Sequence, residues 1–349
     1  MAAPQTITIV GGGLAGLTLG IGLRQRQIPV VIWEAGQYPR HRVCGEFVSG
    51  SGQLVLERLG LRERFEAAGA VYAHTVRFIC GNNPTPVRRL PVPALCLSRY
   101  TMDALLAARF QELGGELQTH RRWSGDPAEP GLVQAGGRRP APAGSGPRWF
   151  GAKAHVPAPG PLKLDADLEM HISPQGYVGV NVTSGSAINV CGLLRTRAET
   201  PAPATPRDWL RGTPGSSLAQ RLAGAEFAAG SFCSVGGLSL QPQRAAARVE
   251  CCIGDRLTMT PPVTGNGMSM AFEAAEAAVE PLVAFAHGHL NWAATREHIA
   301  RECDRRFSHR LAWARRLQWL MTAPLLRTRA GAWLLQSDTL WQLLFSKTR

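Results

Sequence analysis

The sequence predicts an α/β fold in which a Rossmann-like nucleotide-binding domain is interleaved with an antiparallel β domain and followed by a C-terminal helical segment. Three observations support this class. An apolar, β-branched run over residues 6–10 leads directly into a glycine-rich turn and a helical pattern. Three strand-like runs separated by short turns lie between residues 168 and 193. Apolar residues at helical spacing then dominate residues 291–349.

The glycine-rich turn has the spacing of a dinucleotide-binding corner. Glycine at the first position permits a tight turn, at the second it lets backbone N–H groups approach a pyrophosphate, and at the third it lets the helix pack closely on the strand. The helix predicted over residues 14–26 would direct its positive N-terminus toward the phosphates. The predicted cofactor-binding residues here are Gly11, Gly13, Leu14, Ala15 and Gly16.

An acidic residue ends the second predicted strand. Residues 30–33 are apolar and Glu34 follows them, roughly 20 residues after the glycines. A carboxylate at this position can accept a hydrogen bond from a ribose 2′-hydroxyl, which favours FAD or NAD over a 2′-phosphorylated cofactor. The alternative is an ordinary glycine-rich turn between a strand and a helix.

Composition limits the partners and the chemistry. The formal net charge is +13, but all except three of the 38 basic residues are arginine and no nucleic-acid-binding motif accompanies them. We therefore read the charge as a genome preference and predict no nucleic-acid partner. The eight cysteines form no C-x-x-C pair, which predicts neither a metal site nor a disulfide framework. Because the first strand begins near residue 6, we expect no signal peptide and a cytoplasmic protein.

The regions between these motifs also yield element predictions. Residues 54–70 have the spacing of an amphipathic helix. Residues 125–147 are rich in Pro, Gly, Ala and Arg without periodicity, which predicts a loop or a short hairpin of low order. The other predictions are strands at 76–80, 87–97, 168–172, 176–182 and 187–193, the last three forming an antiparallel meander, and a helix at 207–222.

A second glycine motif lies about 240 residues after the first. A strand-like run over residues 248–255 ends in Gly254-Asp255, and the segment Pro-Pro-Val-Thr-Gly-Asn-Gly-Met follows at residues 261–268. An alanine-rich helix is predicted over residues 269–280, and Pro281 should stop or kink it.

These two motifs, together with the turn Cys44-Gly45-Glu46 and the pair Arg99 and Asp103, resemble the FAD-dependent oxidoreductase superfamily of aromatic-ring monooxygenases, flavin halogenases and geranylgeranyl reductases. The resemblance covers most of the chain and implies FAD as cofactor. It implies that Asp255 accepts hydrogen bonds from the ribityl hydroxyls and that Arg99 lies near the ribityl chain or phosphates. The alternative for Arg99 is an i,i+4 ion pair with Asp103 at the start of a helix. Other cofactor residues implied by it are Arg42, Gly265, Asn266, Gly267 and Met268.

The chain departs from the superfamily at two further motifs. Where many members have Gly-Ala-Asp-Gly, an element associated with binding FAD and the nicotinamide donor, this chain has Gly-Ala-Lys-Ala at residues 151–154. Lys153 is therefore a candidate for an ammonium beside the flavin pyrimidine edge or pyrophosphate, the alternative being a surface lysine at a strand end. Tyr177 matches the first position of the Tyr-x-Trp-x-Phe-Pro pattern of prenyl reductases, but the rest is absent. Lys153 and Tyr177 are the two catalytic candidates.

The tail combines arginine with tryptophan. Five of the nine tryptophans lie in residues 291–349, a composition typical of an interfacial membrane helix or a lid over an apolar substrate, as well as of a packed helical subdomain. No run of about 18 uncharged apolar residues predicts a membrane span. The predicted domains are an FAD-binding domain (1–75, 98–155 and 245–290), a substrate domain (76–97 and 156–244) and a C-terminal helical region (291–349).

The sequence thus predicts an FAD-dependent oxidoreductase that takes hydride from external NAD(P)H and acts on a hydrophobic small molecule. The first reading is a monooxygenase that hydroxylates an aromatic or polyketide-like compound with O2. Its alternatives are a geranylgeranyl-reductase-like enzyme that saturates C=C bonds, and a flavin-binding protein without turnover that associates with the inner face of the membrane. The halogenase Trp-x-Trp-x-Ile-Pro signature is absent, which argues against halogenation.

Overall fold

Two β-sheets form the framework of the protein, as seen in a computed structural model of the chain. A five-stranded sheet carries helices on its faces, and a nine-stranded sheet lies beside it. The described residues are 3–139, 149–184, 187–195, 205–241, 243–322 and 336–347.

All strand pairs of the smaller sheet are parallel. Alternate residues of its central strand, Ile7 and Ile9, are fully buried, as is Ile32 of the neighbouring strand. The spatial order of the strands is β14 (Cys251–Cys252), β8 (Leu132–Gln134), β1 (Ile7–Val10), β2 (Val30–Trp33) and β7 (Glu116–Gln118).

The helices that cover this sheet pack closely around the first of them. Helix α1 (Leu14–Gln25) contacts α4 (Arg99–Glu112) and α6 (Gly267–Ala286), and α7 (Trp292–Thr322) packs on α6. Small residues of α1 permit this approach, since a Cβ added at Gly20 would lie 2.8 Å from the Phe110 ring. The glycine motif therefore starts a helix whose later glycines also serve packing.

The larger sheet is mixed, whereas the sequence predicted an antiparallel domain. Its neighbouring strands are antiparallel except for β4 and β10, which pair in parallel. The order is β13 (Cys233–Leu238), β9 (Trp149–Pro157), β12 (Ala187–Arg195), β11 (Gly176–Thr183), β10 (Leu168–Ser173), β4 (Val71–Cys80), β6 (Arg88–Cys96) and β3 (Phe47–Val48), with β5 (Asn83–Pro84) pairing with β4. The predicted meander is present as β10, β11 and β12.

Two predicted helices are broken by glycine. Residues 54–70 form α2 (Ser51–Arg58) and α3 (Arg62–Ala67), separated at Gly60, whose φ of +66° is left-handed. Residues 207–222 form a 3₁₀ turn at Asp208–Arg211 and the short helix α5 (Ser217–Leu222), with Gly212 and Gly215 also at positive φ between them.

Three further predictions are wrong in detail. The region 125–147, predicted as a loop or short hairpin, contains β8, which lies between β1 and β14 in the parallel sheet, while residues 140–148 fall outside the described part. Of the two effects predicted for Pro281, the end of the helix is wrong, because α6 continues to Ala286 while packed against α1, α2 and α7. The predicted strand over 248–255 is reduced to β14.

The tail is helical in both of its described parts. Five apolar residues at helical spacing were predicted to share one face of α7. Of these, Ile299, Phe307, Leu311 and Ala314 are buried, and Leu317 is only partly buried. A last helix, α8 (Asp338–Lys347), follows. Within the described residues, no helix combines the length and apolar character needed to cross a bilayer.

Candidate active site

The first glycine corner has one crowded side and one open side. Gly11 has a φ of +111°, and a Cβ there would lie 2.5 Å from the carbonyl oxygen of Ala135. A Cβ on Gly16 would collide with the carbonyl oxygen of Gly11, so strand and helix approach as closely as the motif predicts. At Gly13, by contrast, no atom lies within 4 Å of an added Cβ. Gly11 and Gly16 are therefore needed by the chain itself, whereas Gly13 borders open space.

Glu34 is fixed at the end of β2 by its own surroundings. Its carboxylate accepts hydrogen bonds from the N–H groups of Gly12 (2.9 Å) and Gly36 (2.7 Å) and from the Arg40 guanidinium (2.6 Å). Burial alone would raise the pKa of Glu34, but the Gly36 hydrogen bond and the Arg40 charge outweigh it and hold the pKa below its usual value. A carboxylate has about four acceptor positions, so one remains for a hydroxyl.

Gly12 has a role that the motif did not predict. The Tyr38 hydroxyl donates a hydrogen bond to the Gly12 carbonyl, and a Cβ on Gly12 would collide with that hydroxyl. Tyr38 thus packs over the turn and fixes its outer side. The contact joins residues 26 positions apart and has no local sequence signal.

The second glycine corner repeats the pattern of the first. Gly265 has a φ of +66° and lies against the Phe47 ring, while an added Cβ on Gly267 would meet nothing within 4 Å. Asn266 and Met268 are buried beside it. The residues that precede α1 and α6, Gly13 and Asn266, make no side-chain capping hydrogen bond to their helices. The first N–H groups of both helices are therefore not satisfied by a cap side chain.

Asp255 lies within electrostatic reach of two arginines, Arg99 and Arg138. The Asp255 side chain is exposed to water, yet the surrounding protein raises its pKa to about 6, with Arg99 and Arg138 opposing the rise. Asp103 holds Arg99 through two hydrogen bonds of 2.7 and 2.9 Å, and it accepts a third, of 3.1 Å, from Arg42. The Asp255 carboxylate is reached by solvent but surrounded by protein, as expected for a carboxylate that lines a cofactor-binding cavity. Arg138, which follows β8, is a cation that the sequence did not single out.

Lys153 lies in a buried cluster centred on Glu46. Its ammonium donates hydrogen bonds to Glu46 Oε1 (2.8 Å) and His41 Nδ1 (3.0 Å), and His155 Nε2 lies 2.7 Å from Glu46 Oε2. The Lys153 and Glu46 side chains are both fully buried. The alternative of a surface lysine is therefore wrong, whereas contact between Lys153 and a flavin stays a prediction.

The charges of this cluster follow from its packing. Burial would raise the pKa of Glu46, but hydrogen bonding from His155 and the Lys153 charge outweigh it and lower the pKa. Burial, reinforced by Lys153, lowers the pKa of His41 to about 4, so that ring is neutral and accepts from the ammonium. Ligand atoms of His41, Glu46 and His155 lie within 4.8 Å of one another, but the ammonium is already hydrogen-bonded to two of the three.

Tyr177 is buried on the same sheet. Its side chain is 5% exposed, its hydroxyl has no hydrogen-bond partner among the described residues, and it packs in one apolar cluster with Val263. Burial raises its pKa well above the usual value, so the phenol stays protonated near neutral pH. As a candidate it could donate a hydrogen bond but would not act as a base.

A large apolar cavity lies between the second sheet, the turn before α6 and the last helix. The empty space between these elements, including the open solvent at its mouth, is about 1030 Å³. Gly45 and Phe47 border it at one side, Val263 and Thr264 at the turn, and α8 forms another wall. The remaining lining is Val76, Phe78, Arg88, Leu90, Leu168, Glu169, Met170, Gly179, Val180, Asn181, Leu317, Met321, Ser337, Leu340, Trp341, Leu344 and Phe345.

The two corners and the residues between them fit FAD. Gly13 and Gly267 leave open space where uncapped helix N-termini supply N–H donors, and Asp255 offers an accessible carboxylate with Arg99 and Arg138 near it. These are the partners that a pyrophosphate, a ribityl chain and an electron-rich ring edge require.

Comparison with solved structures identifies the class of fold. The chain superposes on the flavin-dependent brominase Bmp2 with a TM-score of 0.73 and 18% identity, covering 99% of this chain and 93% of that one. It matches p-nitrophenol 4-monooxygenase PnpA from Pseudomonas putida DLL-E4 (0.72, 15%, 98% of both chains). It also matches PqsL of P. aeruginosa in complex with 2-aminobenzoylacetate (0.70, 16%, 94% of this chain and 100% of that one).

The chain therefore has the fold shared by FAD-dependent halogenases and aromatic monooxygenases, which confirms, for the fold, the resemblance found in its motifs. No protein-family model and no curated protein matches the sequence.

Proposed function

We propose that the protein is an FAD-dependent monooxygenase that hydroxylates a hydrophobic, aromatic or polyketide-like small molecule. The observation that carries this proposal is the position of the apolar cavity. It opens beside Val263 and Thr264, directly before the second glycine corner, and beside Gly45 and Phe47, whose ring packs on Gly265. A substrate in the cavity would lie next to the place where the corner receives a flavin ring.

The residues of the two glycine corners would bind different parts of FAD. N–H groups at the start of α1 would bind the pyrophosphate, and Asp255 would accept hydrogen bonds from the ribityl chain. N–H groups at Asn266 and Gly267 would face the carbonyl edge of the ring. When bound, FAD would supply the transfer of electrons from a nicotinamide donor to O2.

The cavity would hold the substrate and exclude water. Its lining is mostly apolar, and its one carboxylate among the described residues, Glu169, is neutralised by Arg221 at 2.6 Å and by two backbone N–H groups. Trp341 of α8 packs edge-on against Phe78 of β4, with ring centres 5.6 Å apart. We therefore favour, for the tail, the lid among its three predicted roles.

External NAD(P)H would reduce the flavin. The sequence contains no second Rossmann motif, and Lys153 stands where many relatives have the aspartate associated with donor binding. These features support a donor that binds transiently from solution, so NAD(P)H enters the proposal as a co-substrate.

The test is turnover by the full-length protein loaded with FAD. Purified protein is mixed with NADH or NADPH, ¹⁸O2 and a panel of hydrophobic aromatic compounds, and products are analysed by mass spectrometry. The proposal predicts nucleotide oxidation stimulated by an organic compound and one ¹⁸O atom in the product. Stimulated oxidation that yields no labelled product would contradict it.

The second candidate is reduction of a C=C bond. One observation favours it, because the Cys-Gly-Glu turn that resembles the reductase branch borders the cavity at Gly45. In the same assay run without O2, this candidate predicts a product heavier by two hydrogens. Product formation that requires added halide would indicate a halogenase, and flavin binding without stimulated oxidation would indicate a binding protein.

A further inference from the structure

Arg88 is the one cation on the wall of the apolar cavity, among the lining residues that the structure describes. It begins β6, and its side chain is 7% exposed. Its Nε donates a hydrogen bond of 2.9 Å to Asp338 of α8, and the guanidinium lies 5.9 Å from the centre of the Trp341 ring. The buried guanidinium of Arg88 is therefore held in place by α8.

One nitrogen of this guanidinium is left without a partner. Arg88 Nη2 is buried and donates no hydrogen bond to any of the described residues. A buried charged donor loses its hydration without compensation, so such a group calls for an acceptor. Asp338 does not meet this need, because it bonds Nε and its side chain is 78% exposed, where water screens its charge.

We propose that Arg88 is a specificity-determining residue that binds a carboxylate at one end of a hydrophobic substrate. A carboxylate accepts charge-assisted hydrogen bonds from a guanidinium, and these are roughly twice as strong as hydrogen bonds between neutral groups. The rest of the cavity is apolar, and its own carboxylate, Glu169, is already paired with Arg221. The substrate class is therefore a hydrophobic carboxylic acid, and the inference deepens the proposed function on which it rests.

The strand geometry sets the orientation of this acid. Arg88 is the first residue of β6, and Cys96, the last, pairs with Phe47 at the second glycine corner. The two ends of a nine-residue strand are roughly 25 Å apart before side chains shorten the gap. The carboxylate would lie at the end far from the flavin, and the apolar part would be presented to it.

The experiment compares acids with uncharged amides of the same shape. Binding to the purified full-length protein is measured by calorimetry, without turnover, for 2-naphthoate and 2-naphthamide and for 4-hexylbenzoate and 4-hexylbenzamide. The wild type should bind at least one acid about tenfold more tightly than its amide. Arg88→Gln should reduce this preference to about twofold, whereas Arg89→Gln, the neighbouring exposed arginine, should leave it unchanged.

A second variant tests the inference independently in case Arg88→Gln does not fold. Asp338→Asn removes the competing negative charge from an exposed position, so it should raise the preference for the acid by about threefold. A general loosening of α8 would weaken the binding of the acid and of its amide alike, so it would not change the ratio of the two affinities. Three results would each overturn the inference. The ratio of acid to amide affinity is unchanged or lower in Asp338→Asn, the preference for the acid is retained in Arg88→Gln, or the wild type binds no acid more tightly than its amide.

This inference and the proposed function fail in different ways. FAD content is measured on the same samples. A wild-type protein that binds FAD but shows no preference for the acid would overturn only the role of Arg88. An Arg88-dependent preference for the acid in protein that does not bind FAD would overturn only the proposed function.

Discussion

The pair of Lys153 and Glu46 shows how much a single buried charge depends on its partner. Both side chains are fully buried and their charged atoms are 2.8 Å apart. Removing one member of such a pair leaves an uncompensated charge in a poorly solvated place. Glu46 also accepts the Arg99 N–H at 2.8 Å, which ties the cluster to the start of α4.

Replacing Lys153 should therefore destabilise the fold strongly. We expect Lys153→Met to lower the free energy of unfolding by about 3–5 kcal/mol, measured by urea denaturation, because Glu46 is left buried and unpaired. The matched control is Lys163→Met at an exposed position, which should change it by about 0.5 kcal/mol or less. The double variant Lys153→Met with Glu46→Gln should recover part of the loss. Equal stability of the two lysine variants would contradict the account.

Asp255 should make the stability of the flavin-free protein depend on pH. Its folded-state pKa of about 6 lies above its ordinary value of 3.8, so folding favours the protonated form. Its contribution is fully present below about pH 4 and is lost as pH rises through about 6. Wild type and Asp255→Asn should therefore differ in pH dependence, with the variant gaining relative stability between pH 4 and pH 7. Parallel curves for the two proteins would exclude a raised pKa.

Residue types at this scale were easier to predict than their partners. Lys153 is conspicuous in an arginine-rich sequence, but its partner Glu46 is 107 positions away and no pattern joins them. Tyr38 over Gly12 and Arg138 near Asp255 were missed for the same reason, since each depends on the sheet that brings distant segments together.

At the level of elements, length decided what the sequence could predict. Long periodic runs such as α1 and α7 were found, but β7 and β8 have only three residues each and carry no readable period. Glycine at positive φ ended two predicted helices early, as at Gly60. Pro281 failed to stop α6 because packing outweighs the hydrogen bond that proline removes.

Helix α8 should contribute to ligand binding more than to folding. Trp341 packs on Phe78 and Arg88, whereas Leu343 of the same helix is 47% exposed. We expect Trp341→Ala to weaken binding of apolar ligands about tenfold or more, because a large side chain of the cavity wall is lost. Leu343→Ala should bind them like the wild type. Calorimetry with 2-naphthoate and 2-naphthamide checks both, and equal binding by the two variants would contradict a lid.

For the whole molecule, the fold class was predictable because it depends on a few strongly constrained corners. Each corner needs glycine where the backbone turns or approaches another segment, as at Gly11 and Gly265. Both motifs can therefore be read in the sequence, although the chain shares only 15–18% identity with structures of the same fold. The mixed pairing of β4 with β10 had no such marker, since parallel and antiparallel strands share one residue pattern.

The most direct test of the central claim, that both glycine corners hold one FAD, is titration of FAD into glycine variants. A Cβ added at Gly13 or Gly267 meets no protein atom within 4 Å, so a Leu side chain there would enter the space assigned to the cofactor. The control is Gly236→Leu on β13, where an added Cβ is equally unobstructed. The account predicts one FAD bound by wild type and Gly236→Leu, and binding weakened about a hundredfold in Gly13→Leu and Gly267→Leu with folding retained. Wild-type protein that binds no FAD, or corner variants that bind it as tightly as wild type, would contradict the account.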